Sequence, residues 1–189
     1  MMRKLEEQIV TLVKDTGQEK RLSDKRAKEL YDAIVDLDTR LTPLEGKSGA
    51  MVVLSDVTNS TTTPADVTGL SFAVEANKIY AFRFFMQVTT VGPATGLHVQ
   101  LTGPTSPTAL FAKVFEWLTG PVSDEEYLTA FNASTVAASC SEQHPEMIIE
   151  GFLRNGANTG VVQLQFDSEV NTNLVTIHAG SHGIWHKLN

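Results

Sequence analysis

The chain reads as mainly β, a jelly-roll-like antiparallel β-sandwich preceded by an N-terminal helical, coiled-coil-like segment, and three observations predict this. Tyr80, Phe82, Phe84, Met86 and Val88 fall on alternate positions with Arg83 and Gln87 between them, the period of two that sets one strand face against a core. Short apolar runs punctuated by Gly, Pro and Asn recur from Met51 to the C-terminus, the rhythm of an all-β fold. Residues 1–44 differ from the rest, with crowded charges and apolar residues at intervals of three and four, the helical spacing. A strand as aromatic as 80–88 needs a second layer to cover it, hence a sandwich.

In chain order, Leu5, Ile9, Leu12 and Val13 form a first helical stripe at i, i+4, i+7 and i+8, interrupted at Thr16-Gly17. Gly is the usual residue just past a helix end. Ser23 is a good N-cap and Asp24 complements the helix dipole. Ala27, Leu30, Ile34, Leu37 and Leu41 then step by three and four, a heptad seam with Ala27, Ile34 and Leu41 at a and Leu30 and Leu37 at d. Pro43 stops that helix near Thr42. The resulting rod, roughly nineteen residues and about 28 Å long, is marginal alone and must pack on something. The seam lies either on its own β domain or on another copy. We take the second as the expectation, with Leu30, Ile34, Leu37 and Leu41 joining copies and Leu5, Ile9, Leu12 and Val13 left for another surface. The chain divides accordingly into a helical anchor or stalk (1–45), a linker (46–50) and a β head (51–189).

Within the head, Met51–Leu54 is a first strand and Thr58–Pro64 a polar loop. Leu70–Val74, Tyr80–Val88 and Leu97–Leu101 are three successive strands, with a turn at Glu75–Lys78 in which Asn77 suits a left-handed conformation. Leu110–Leu118 fits neither period cleanly, so a strand and a short helix both stay open there. Ser123–Glu126 reads as a capped helical turn. Phe131–Cys140 reads as a strand. Met147–Leu153 and Val161–Phe166 flank the Gly/Asn turn Asn155–Gly160. Leu174–Ile177 and Ile184–Leu188 close the chain.

Composition bounds the partners. The 189 residues carry a net charge of −7, against non-specific nucleic-acid binding and against a polybasic hold on membrane. No apolar run approaches the ~20 residues of a membrane span, and MMRKLEEQIV is charged too early for a signal peptide. Cys140 is alone, so no internal disulfide forms, and nothing near it in sequence supplies a base. Gly46–Gly49 lacks the leading glycine of a phosphate loop, and Gly180–Gly183 lacks the spacing of a nucleophile elbow. His178, His182 and His186 recur every four residues, but on an extended chain they stand roughly 13 Å apart, too wide for one ion. Surface or axis packing is the reading for them, with a symmetric ring of one His per chain as the alternative. Asp167 and Glu169, near Asn171 and Asn173, lack a regular calcium-loop pattern and read as a solvated loop. Asn59 and Asn132 head glycosylation sequons, which mean little without a secretory signal. Trp117 and Trp185 read as core. No cofactor, no metal and no catalytic residue is assigned, and the chain is expected not to be an enzyme.

Three runs, Leu54–Ser60, Asp66–Val74 and Lys78–Phe84, resemble a module of tailed-bacteriophage virion proteins. Ile149–Leu153, Gly160–Gln165 and Val175–Ser181 resemble its second half. The resemblance spans about residues 51–188 and implies a head fibre or capsid decoration protein, with a tail or neck fibre as the alternative. It further implies a homotrimer whose N-terminal segment attaches to a capsid, neck or tail protein and whose sandwich head stands outside. One departure is that Ile at a with Leu at d favours two strands over three. The rival ligand is a host-surface glycan, whose mark is exposed aromatics beside Asp or Asn. The implied location is the virion, after synthesis in the host cytoplasm.

Overall fold

The computed structural model describes residues 30–36, 47–92, 94–117, 123–137 and 146–189. The chain divides into two compact units, Met1–Glu45 and Gly46–Asn189. In the first, residues 30–36 are helical. Leu30, Tyr31 and Val35 are exposed there and Ile34 is half-buried. Leu37, Leu41, Leu5, Ile9, Leu12 and Val13 lie outside the described residues.

The second unit is a sandwich of two antiparallel sheets. Its strands are β1 (Ser48–Val52), β2 (Val57–Asn59), β3 (Ala65–Val74), β4 (Ile79–Thr90), β5 (Leu97–Thr102), β6 (Ala109–Trp117), β7 (Ser123–Leu128), β8 (Glu146–Arg154), β9 (Gly160–Ser168), β10 (Val175–Ile177) and β11 (His182–Lys187). The large sheet runs β1-β11-β4-β8-β6-β7, with β10 joining β4 to β2; the small sheet is β3-β9-β5. β4 is long enough to pair on one edge first with β11, through Tyr80–Phe85, and then with β10, through Val88–Thr90.

The alternation in β4 does what its sequence predicts. Tyr80, Phe82, Phe84, Met86 and Val88 are all buried, meeting Leu70, Phe72, Val99, Leu101, Leu164 and Phe166 of the small sheet in one core. Phe72 sits within 6.0 Å, centroid to centroid, of Tyr80, Phe82 and Trp185, and lies nearly parallel to the Trp185 ring at 5.7 Å. Trp185 thus packs against the core as expected; the Trp117 side chain is outside the description.

The turns at Glu75–Lys78 and Asn155–Gly160 each carry the chain from one sheet to the other, so neither closes a hairpin. They meet at one end of the sandwich. Asn77 donates its N–H to Gly156 O, Asn155 donates its N–H to Lys78 O, and the buried Asn155 side chain donates to Glu75 O and Asn158 O. Asn77 takes the left-handed φ of 59° that its residue type tolerates.

Four expectations are corrected. The linker over 46–50 is in part strand, because β1 starts at Ser48, not Met51, and pairs with β11 from Ser48↔His186 onward. Gly49 serves packing there: a Cβ would stand 2.6 Å from Trp185 Nε1. Thr58 and Asn59, the first residues of the expected polar loop, belong with Val57 to β2, and the buried Asn59 donates to Thr63 O and Phe166 O. Ser123–Glu126 is no helical turn but part of β7, which pairs with β6 from Trp117↔Ser123 to Ala112↔Leu128; a ladder satisfies more backbone groups than one isolated turn. Residues 131–137 form a turn and a single bridge, Gln100↔Ser134, in place of a strand. Asn132 there has φ 61°, which breaks extension; 138–140 lie outside the described residues.

Candidate interaction surface

The outward face of the large sheet is built from the residues that alternate with the core positions. Register places them in three rows across the strands. The first contains His186, Ala81, Phe152 and Phe111; the second Ile184, Arg83, Glu150, Lys113 and Tyr127; the third His182, Phe85, Ile148, Phe115 and Glu125. Phe111, Tyr127, Phe152 and Ile184 are each 41–53% exposed. Side chains this apolar and this open, adjacent over several strands, make the face a candidate interaction surface.

The rings are in contact with one another. Phe111 lies 5.4 Å from Tyr127 and 6.0 Å from Phe152. Phe85 stacks on the His182 imidazole at 5.1 Å. Charges thread between them. Arg83 Nη2 is 3.0 Å from Glu150 Oε2 and its guanidinium lies 4.8 Å from the Phe85 ring centre. Lys113 Nζ is 2.7 Å from Glu125 Oε1 and 4.1 Å from the Phe115 ring centre. The Glu125 hydrogen bond, with its charge, holds Lys113 above the usual lysine pKa. A shallow cavity of about 500 Å³ runs between Arg83, Phe111, Phe152 and His186. The arrangement offers flat apolar area with fixed charges, suited to a macromolecular face.

The predicted histidine series separates into three settings. His178 Nε2 lies 3.0 Å from Thr89 Oγ1 and its Nδ1 3.3 Å from Asp56 Oδ2, while Asp56 Oδ1 accepts the Ala179 N–H at 2.9 Å. That N–H is the main reason the Asp56 carboxyl sits below its usual range, with His178 adding to it. Hydroxyl, imidazole and carboxylate follow the order of a nucleophilic triad. The imidazole–carboxylate contact is longer than the 2.6–3.2 Å of a working pair, and Ala179 occupies the other carboxylate oxygen. The group ties the β1–β2 connection to the turn after β10. His182 and His186 point outward from β11 and belong to the large-sheet face. Among the described residues no three His, Cys, Asp or Glu gather as metal ligands.

Asp167 corrects the reading of a solvated loop. It lies in β9, 5% exposed, with His98 Nδ1 at 2.7 Å; Glu169 accepts the Gly96 N–H at 2.9 Å. Of the expected association residues, only Leu30 and Ile34 are within the described residues, on the helix at 30–36.

Sequence reasoning missed the outer face, though a signal was present. Residues 110–118 fit neither period because both faces of β6 are apolar: Leu110, Ala112 and Val114 point inward, Phe111 and Phe115 outward. In a two-layer fold, a strand apolar on both faces announces a third surface to be covered. Among the described residues no helix is long and apolar enough to cross a membrane. No family model and no curated protein matches the chain.

Proposed function

We propose that this chain is a non-enzymatic structural protein of a tailed-bacteriophage particle, a head fibre or capsid decoration protein. In this reading the sandwich is jelly-roll-like, which the chain's alternation between sheets through β3, β4, β5 and β6 and again through β8, β9 and β10 supports. In this reading residues 1–45 anchor the molecule: Leu5, Ile9, Leu12 and Val13 hold a capsid, neck or tail protein, and Leu30, Ile34, Leu37 and Leu41 gather copies into a homotrimer.

The observation that carries the reading is the outer face of the large sheet, a flat field of exposed aromatics and paired charges fitted to assembly. The motifs of the virion-protein resemblance add support. Two of them converge in the fold, Asp56 of the first run meeting His178 and Ala179 of the last.

Cryo-electron microscopy of the intact particle tests it, with density for this head expected on the capsid exterior. Deleting residues 1–16 should leave the oligomer and abolish attachment. A particle lacking the chain, or a deletion variant that still attaches, rejects the reading.

A second reading, a tail or neck fibre or receptor-binding module for host-surface carbohydrate, draws on the exposed Phe111, Tyr127 and Phe152, beside which stand Arg83 and Glu150 in place of the Asp or Asn of its mark. Specific retention on a glycan array would favour it.

A further inference from the structure

Outward side chains on four neighbouring strands place charges of alternating sign in sequence across the large sheet. Arg83 is on β4, Glu150 on β8, Lys113 on β6 and Glu125 on β7. Their sum is zero, in a chain of net charge −7 whose copies otherwise repel. A plus-minus-plus-minus series has a further property: it is its own complement when turned about its midpoint. We propose that this face pairs with the same face of a second copy about a two-fold axis parallel to the strands, passing between β8 and β6. The inference rests on reading the chain as a self-assembling structural protein.

The charges choose that axis. Rotation about it sets Glu150 against Lys113 of the second copy in the same row, while Arg83 faces Tyr127 of that row and meets Glu125 of the next row diagonally. The same operation sets Phe152 against Phe111. A two-fold axis running across the strands instead places Arg83 on Arg83, Glu150 on Glu150 and Lys113 on Lys113, which like-charge repulsion forbids. An isologous contact of this kind needs one surface that complements itself.

The size of the face sets the strength. Four strands ~4.8 Å apart and rows ~6.6 Å apart give, with their side chains, roughly 500 Å² per copy. That is below the ~800 Å² per partner of a stable complex. Pairing of heads is therefore weak in dilute solution and effective where heads of neighbouring homotrimers are held at high local concentration on a particle surface.

The test uses the full chain carrying Leu37→Asp, which disables the helical seam so that association reports on the head. Sedimentation equilibrium should show a reversible rise from one chain toward two. Lys113→Glu and Glu150→Lys should each raise the concentration needed at least about tenfold. An equimolar mixture of the two should restore pairing, because each reversed charge then meets its opposite across the axis. Both variants should keep the parent melting temperature; if either does not, Arg83→Glu mixed with Glu125→Lys makes the same test at the outer positions.

A single-chain mass up to about 1 mM, a limit of three chains, or a mixture that fails to restore pairing overturns the inference. The chain with Leu37 intact separates the two readings. If it assembles while the face variants change nothing, the face is wrong and the structural reading stands. If it too stays a single chain, both fall.

Discussion

The sandwich presents two outer faces built on the same alternation, and they carry opposite chemistry. On the small sheet the outward positions of β5, β9 and β3 are occupied largely by polar groups joined to one another. His98 bonds Asp167 at 2.7 Å, Gln100 donates to Gln165 at 2.7 Å, Gln165 donates to Asp66 at 2.6 Å, and Gln163 donates to Val67 O at 3.0 Å. On the large sheet the corresponding positions of β4, β6 and β8 carry Phe85, Phe111, Phe115, Ile148 and Phe152 among paired charges. A face meant for water saturates its own polar groups. A face that leaves aromatic rings open has its free-energy gain still to come, on covering. In the proposed reading, the difference separates the layer that ends at solvent from the one that another molecule covers.

Four substitutions or conditions break or sharpen that contrast. The largest effect belongs to the core both faces share. Phe84→Ala, at a fully buried position, should cost about 3–5 kcal/mol in urea unfolding; a loss below about 1 kcal/mol would mean that β4 has its faces reversed. Next comes the polar face. His98→Ala leaves the buried Asp167 without its partner and should cost about 1–3 kcal/mol, with His98→Gln recovering part of it. A full-strength protein after His98→Ala would show that the small-sheet network contributes nothing.

Phe152→Ala, on the aromatic face, should cost the isolated chain no more than about 1 kcal/mol, the worth of its ring pair, while reducing association of copies. If it instead unfolds the protein, the outer face is already part of a core. The smallest effect concerns pH and lies away from both faces, at the Asp56 tie. Its folded pKa is depressed, first by the Ala179 N–H and also by His178. The stabilisation is therefore fully present above the unfolded value of about 3.9 and is lost as pH falls through the lower folded value. Asp56→Asn should flatten the acid limb of a plot of unfolding midpoint against pH and leave the limb above pH ~5 parallel to the parent; an unchanged acid limb removes Asp56 from the account.

The sequence by itself determined the class of fold and most of its core. Five alternating residues, Tyr80 to Val88, have one possible disposition on a strand, and burying three phenyl or phenol rings plus Met86 on one side demands a facing sheet. Asn77 likewise announced its left-handed turn, because the preference is a property of one residue and its own backbone. What remained hidden depended on partners distant in the chain. Ser123-Asp124-Glu125-Glu126 has the local form of a helix start, and only β6, supplying a ladder, makes it a strand. Gly49 reads as a linker residue until Trp185, far along the chain, is laid against it. The pairing of turn with turn through Asn155, and of Asp56 with His178, joins segments 80 and 122 residues apart. The candidate surface is the same case at a larger scale. Each strand contributes two or three outward side chains to it, and only the order β4-β8-β6-β7 brings Arg83, Glu150, Lys113 and Glu125 together as alternating charges among exposed rings. Strand order is settled by tertiary pairing, since periodicity within a segment says which face a residue takes and nothing of its neighbour across the sheet.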